Sequence, residues 1–148
     1  MNVGLVGYGK MGMEIFKLLS EKGFPVTVFV RSEEKSKYNK NKIDRGLERY
    51  LRKGIITEEE FRQKKVSLLF TNHLEDLALS DVVIESIVED RQEKLDIFHR
   101  LESIIGPKAI FLTNTSSLSI TDLARELKYK DRFCGLHFFH PVSLIDLV

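Results

Sequence analysis

The stretch Asn2-Val3-Gly4-Leu5-Val6-Gly7-Tyr8-Gly9-Lys10-Met11-Gly12 decides how the rest of the chain is read. Val3 to Val6 is a short apolar run of the kind that forms a buried strand. It breaks at Gly7-x-Gly9-x-x-Gly12, and a helical pattern of apolar residues (Met13, Ile15, Phe16, Leu18, Leu19) starts at once. Strand, glycine turn and helix in that order is the setting in which glycines of this spacing carry information. Gly7 permits a tight turn, Gly9 lets backbone approach a pyrophosphate, and Gly12 lets the helix pack closely on the strand. Free N–H groups and the dipole at the helix start favour an anion. Lys10 and Met11 belong to the same turn and are expected to face the bound group.

Composition narrows the class. The 148 residues, 43% apolar and 30% charged, suit a single globular domain with a sizeable core. A net charge of +1 gives no electrostatic reason to expect nucleic acid or an anionic membrane as partner. No apolar run is long enough to span a bilayer, and a strand this close to Met1 leaves no room for a signal peptide. The single cysteine, Cys134, allows no internal disulfide and lies in an apolar stretch, where a buried packing residue is expected. A cytoplasmic setting is the resulting expectation.

Beyond the first helix, Lys22-Gly23 reads as a helix stop and Val26 to Val30 as a second strand, completing a βαβ unit. The end of that strand is where an acidic residue would take the ribose 2′-hydroxyl of NAD. Val30 stands there instead, followed by Arg31 and Ser32. A guanidinium at this place suits a 2′-phosphate, which leans the reading toward NADP, although a plain solvated loop charge fits equally. Glu33 to Lys65 is highly charged and helical, with Ile43, Leu47, Tyr50 and Leu51 on one stripe and Gly54 as a stop. Thr57 reads as the N-cap of a shorter helix. The basic faces of this excursion fit either a solvated surface or a landing site for the phosphates of an acidic substrate such as a coenzyme A thioester.

Val66 to Phe70 and Asp81 to Glu85 read as the third and fourth strands, and Asp90 caps a helix with Leu95, Phe98, Leu101 and Ile105 on its core face. Ala109 to Leu112 is a fifth strand ending in the polar cluster Thr113-Asn114-Thr115-Ser116-Ser117. Ser119 opens another helix, and Phe133 to Phe138 is a sixth strand ending in His137-Phe138-Phe139-His140-Pro141. Continuous apolar strands alternating with helices predict an α/β fold: a doubly wound, mostly parallel sheet covered on both faces, with a long helical excursion after the second strand. No Cys/His cluster has the spacing of a metal site.

Three segments carry a resemblance to a known family: the Gly7-x-Gly9-x-x-Gly12 turn, Asn114-Thr115-Ser116-Ser117-Leu118-Ser119-Ile120-Thr121, and Gly135-Leu136-His137-Phe138-Phe139-x-Pro141. Together, over essentially the whole chain, they resemble the N-terminal cofactor domain of the 3-hydroxyacyl-CoA dehydrogenases. The resemblance implies a Rossmann-type domain over residues 1–148, NAD or NADP as cofactor, and an acyl-CoA substrate in fatty-acid or butanoate metabolism. It places the general acid/base on His137 and the serine that holds the reacting substrate oxygen on Ser116. It places cofactor contacts on Glu89, Lys94, Asn114 and His140, and a coenzyme A contact on Lys53. The residue types suit the chemistry, since imidazole titrates near neutrality and a hydroxyl can position a substrate oxygen.

Three departures bear on what the resemblance implies. His140 replaces the family's usual Asn, and Val30 with Arg31 replaces its acidic selector. The family's glutamate that orients the histidine would follow Leu147-Val148, and its helical C-terminal domain, which supplies the homodimer interface, would follow that. The chain is therefore expected to bind dinucleotide and to turn over weakly or not at all. Two other readings share the fold: a non-catalytic dinucleotide-binding protein, and an NADP-linked β-hydroxyacid dehydrogenase.

Overall fold

A computed structural model describes residues 1–145; the apolar end read through Leu147-Val148 lies outside the described residues. The first strand, β1 (Val3–Val6), pairs in parallel with β2 (Val26–Phe29) on one side and β4 (Val82–Glu85) on the other. β3 (Leu68–Thr71) flanks β2, while β5 (Ile110–Thr113) and β6 (Phe133–Gly135) extend the sheet beyond β4. The resulting six-stranded sheet runs in the order β3-β2-β1-β4-β5-β6 with all pairs parallel. The winding reverses between β1 and β4, so a crevice opens at the carboxyl ends of those two strands.

Strand residues alternate between two cores, one on each face, as a doubly covered sheet requires. Val3, Leu5, Val26, Val28 and Ile84 turn to the face covered by α1 (Lys10–Glu21), whose Ile15 and Phe16 are buried there. Val6, Phe29, Val83 and Phe111 turn to the opposite face, under α4 (Arg91–Ile104) and α5 (Ile120–Arg125). Phe98 of α4 is fully buried at its centre, edge-on to Phe133 at 4.9 Å and to Phe111 at 6.0 Å.

Between β2 and β3 lies the helical excursion, α2 (Glu33–Arg52) and α3 (Glu58–Ser67). Ser32 caps α2 by accepting from the Lys35 N–H, and Gly54 leaves it at φ +65°. α3 starts with a reciprocal capping box between Thr57 and Glu60. That firm start carries α3 through Ser67, so Val66 is helical and exposed, and β3 begins two residues later than the alternation suggested. Similarly, β6 stops at Gly135; Leu136 to Pro141 is an irregular segment rather than strand. Cys134 is exposed, contrary to the expectation of a packed thiol. Phe133 turns inward onto Phe98, so its neighbour on this edge strand turns to the opposite face and meets solvent.

Removing the ring at the centre of the α4-side core leaves a cavity that the sheet cannot close. Phe98→Ala is expected to lower the unfolding free energy by about 3–5 kcal/mol, read as a fall in the urea midpoint with an unchanged m-value.

Candidate functional site

The crevice at the switch point is a cleft of about 1030 Å³. Its floor is the glycine turn. Gly7 has φ +99°, and a Cβ there would lie 2.4 Å from the Ser86 carbonyl oxygen at the end of β4. A Cβ on Gly12 would lie 2.4 Å from the Gly7 carbonyl oxygen, so the turn closes only because both positions are bare. A Cβ on Gly9 would meet nothing within 4 Å, and this residue precedes the first turn of α1. It therefore offers unobstructed main chain beside unpaired helical N–H groups, the arrangement that receives a pyrophosphate. A cradle closed by two obligate glycines and open at the third fits a dinucleotide.

Below the floor, charge is buried and fully paired. Glu85, at the last position of β4, and Lys94, one turn into α4, are both essentially inaccessible to solvent. Lys94 Nζ donates to Glu85 Oε1 at 2.6 Å, Thr113 Oγ1 donates to Glu85 Oε2 at 2.6 Å, and the Ile87 N–H donates to Oε1 at 2.7 Å. Lys94 also lies 3.4 Å from Glu89 Oε2. The other oxygen of Glu89 gathers four donors: Thr115 Oγ1, the Ser116 N–H, the Ser117 N–H and Ser117 Oγ. Burial alone would raise the Glu89 pKa, but the hydrogen bonds from Thr115, Ser117 and Ser116 outweigh it and bring it down from 4.5 to about 2. Glu89 thus folds the polar loop after β5 over its own carboxylate and leaves Ser116 lining the cleft.

The segment after β6 enters the same cleft. Asn114 anchors it: the Phe138 N–H donates to Asn114 Oδ1 at 2.8 Å, and His137 Nδ1 lies 3.3 Å from the Asn114 carbonyl oxygen. A carbonyl only accepts, so Nδ1 is the protonated nitrogen of the neutral ring and Nε2 is the one that faces a reacting group. The Phe139 ring stands edge-on to the imidazole at 4.8 Å. Glu14 of α1 holds the end of the segment, accepting from the Val142 N–H at 2.7 Å and pairing with His140 Nδ1 at 2.8 Å. The main-chain bond to Val142 and the His140 contact lower the Glu14 pKa against a smaller opposing effect of burial.

Gly7, Gly9, Lys10, Met11, Val30, Arg31, Glu89, Asn114, Ser116, His137 and His140 all line the cleft. Three expected residues do not. Gly12 is buried behind the turn, and Lys94 lies beneath it, engaged with Glu85 and Glu89, so it supports the site instead of touching the cleft. Lys53 is exposed at the C-terminal end of α2, away from the cleft lining. Several lining residues were missed by the sequence reading. Tyr8 packs edge-on against Phe70 at 4.8 Å, and burial pushes its hydroxyl up to about 12. Glu93 pairs with Arg31 across the cleft, while Lys35 and Asn39 line it from α2. One signal for the buried support was present: Glu85 is a carboxylate ending an otherwise apolar strand. For Glu14 there was none, because its contacts lie more than a hundred residues away.

Fold and cleft together define a dinucleotide-binding domain. The model of the 3-hydroxyacyl-CoA dehydrogenase NAD binding domain matches residues 2–148, and the chain belongs to that family. A 3-hydroxybutyryl-CoA dehydrogenase of Mycobacterium tuberculosis is 40% identical over 148 residues, covering 99% of this chain and 51% of the relative. The mitochondrial hydroxyacyl-coenzyme A dehydrogenase of Mus musculus is 35% identical over 155 residues, covering 99% of this chain and 49% of that protein. Among solved structures, a 3-hydroxybutyryl-CoA dehydrogenase from Escherichia coli superposes with TM-score 0.82 at 31% identity, covering 97% of this chain and 30% of its own. The Ralstonia eutropha (S)-3-hydroxybutyryl-CoA dehydrogenase PaaH1 gives TM-score 0.81 at 32% identity, covering 97% and 51%. The chain spans about half the length of the curated relatives it matches.

The depressed pKa of Glu89 has a consequence for acid stability. A carboxyl at about 2 when folded and 4.5 when unfolded stabilises the fold fully above 4.5 and progressively less as pH falls toward 2. Glu89→Gln is expected to melt below the wild type at neutral pH, with the gap closing across that interval, as followed by Tm in a pH series.

Proposed function

We propose that this chain is the cofactor half of an enzyme that interconverts 3-hydroxyacyl-CoA and 3-oxoacyl-CoA thioesters. The observation that carries the reading is the convergence of Ser116 and His137, from the ends of β5 and β6, on the cleft floored by the glycine turn. Gly7, Gly9, Lys10 and Met11 would hold the cofactor's phosphates, with Glu89, Asn114 and His140 toward its reacting end. The nicotinamide cofactor, when bound, supplies the hydride acceptor or donor.

The chain's own residues do the rest. Ser116 Oγ holds the substrate oxygen by a hydrogen bond, which is positioning and not nucleophilic attack. His137 takes the hydroxyl proton on Nε2 during oxidation and returns it during reduction. Its Nδ1–H bond to the Asn114 carbonyl fixes the tautomer that makes Nε2 the base. The Phe139 ring stands edge-on to the imidazole and covers one side of it, while Phe138 is buried in the α1-side core and anchors the segment.

The thioester's coenzyme A phosphates would meet Lys53 at the C-terminal end of α2, where Arg49 and Arg52 also make the last turn basic. The homodimer and the cytoplasmic setting belong to the same reading. The first draws on the resemblance, and the second on the lone, unpaired cysteine. Among the described residues no helix is long and apolar enough to cross a membrane.

Assayed over its full coding length, the protein is expected to reduce acetoacetyl-CoA with a nicotinamide cofactor. His137→Ala should lower kcat by about 10²–10⁴-fold while cofactor titrations stay unchanged. Normal turnover by that variant would remove the assignment, and no turnover by the wild type would favour a non-catalytic binding protein. Lys53→Ala should raise KM for the thioester several-fold at an unchanged kcat, seen in the same steady-state assay.

A further inference from the structure

Arg31 stands where a 2′-phosphate would be met, yet its guanidinium is already engaged. It is ion-paired with the Glu93 carboxylate. Arg31 follows the end of β2 and Glu93 sits in the first turn of α4, and both line the cleft, so the pair reaches from one wall to the other. The position that normally carries the ribose selector is Val30, which is apolar and buried. The carboxylate of Glu89 is committed to the loop at Thr115–Ser117. Glu93 is therefore a negative group at the Arg31 end of the cleft, introduced from α4 and not from the tip of β2. Lys35 and Ser32 line the same end, with the Ser32 hydroxyl occupied in capping α2.

We infer that Glu93 sets the choice between NAD and NADP, and that it does so through Arg31. Held by Glu93, the guanidinium is withdrawn from the forked pairing that a 2′-phosphate needs. The Glu93 carboxylate in turn repels that phosphate and gives the ribose hydroxyls the acceptor that Val30 lacks. Glu93 is thus a positioning residue for Arg31. This shifts the expectation drawn from Arg31 alone toward NAD, and it rests on reading the cleft as a nicotinamide dinucleotide site. The pair is solvent-accessible, at 63% and 43% side-chain exposure, so the selectivity it confers is modest and sensitive to salt.

The test is fluorescence titration of the chain with NADH and with NADPH, for the wild type, Glu93→Gln, Arg31→Ala and the double variant. The wild type should prefer NADH. Glu93→Gln should raise the affinity for NADPH relative to NADH by about tenfold in low salt, with the change shrinking strongly near 1 M salt. In the Arg31→Ala background the same substitution should yield much less, because the freed guanidinium is missing. A loss of fold would weaken both cofactors together and leave their ratio alone, so the ratio isolates the selecting role. An unchanged ratio in Glu93→Gln, or a full gain that persists without Arg31, would overturn the inference while leaving the dinucleotide site standing. Failure of the wild type to bind either cofactor would remove the site and the inference with it.

Discussion

A charge buried without a partner is among the costliest things a fold can contain, and the Lys94–Glu85 pair shows how this one avoids it. Each group is inaccessible to solvent, and the remaining lone pairs of the carboxylate are taken by Thr113 and the Ile87 N–H. Deleting one member of such a pair costs about 3–5 kcal/mol, whereas exchanging both for apolar groups is often neutral. What the pair contributes is therefore arrangement more than stability. It ties together the ends of β4 and β5 and the first turns of α4, the three elements whose spacing sets the cleft. From the same residue, the Glu85 carbonyl accepts from the Asn114 N–H at 2.9 Å, and Asn114 in turn orients His137 and Phe138. One buried residue, its carboxylate held by Lys94 and its main-chain carbonyl by Asn114, thus stands at the root of a hydrogen-bonded path to the imidazole.

A second mooring works from the other side. Glu14 sits on the helix whose N-terminus adjoins the glycine turn, and it holds both His140 and the Val142 N–H. The irregular segment after β6 is accordingly fixed at its start by Asn114 and near its end by α1. The segment carrying the imidazole needs no regular structure of its own, because its main chain is pinned by the Asn114 side chain after β5 and the Glu14 side chain of α1.

The sequence made legible what depends on local pattern. Strand alternation, the capping residues Ser119, Asp90 and Thr57, and the glycine turn are all short-range, and all six strands begin within about two residues of where their apolar runs suggested. Ser116, His137 and Asn114, singled out by their motifs, line the cleft because strand ends in a parallel sheet point to one rim. The misses have a different cause. Cys134 depends on which face of an edge strand is covered, and Lys94 on whether a long side chain turns inward to meet Glu85. The Arg31–Glu93 and Glu14–His140 pairs join residues that only the tertiary fold makes neighbours, with no period or spacing to announce them.

The glycine turn has an evolutionary corollary. At that end the cleft offers main chain, whose shape is preserved by steric necessity at Gly7 and Gly12. At the Arg31 end the cleft is lined by exchangeable side chains on two separate elements. Divergence within such a lineage can rewrite the preference for one dinucleotide over another without disturbing the machinery that grips them both, so selectivity is the trait freest to drift.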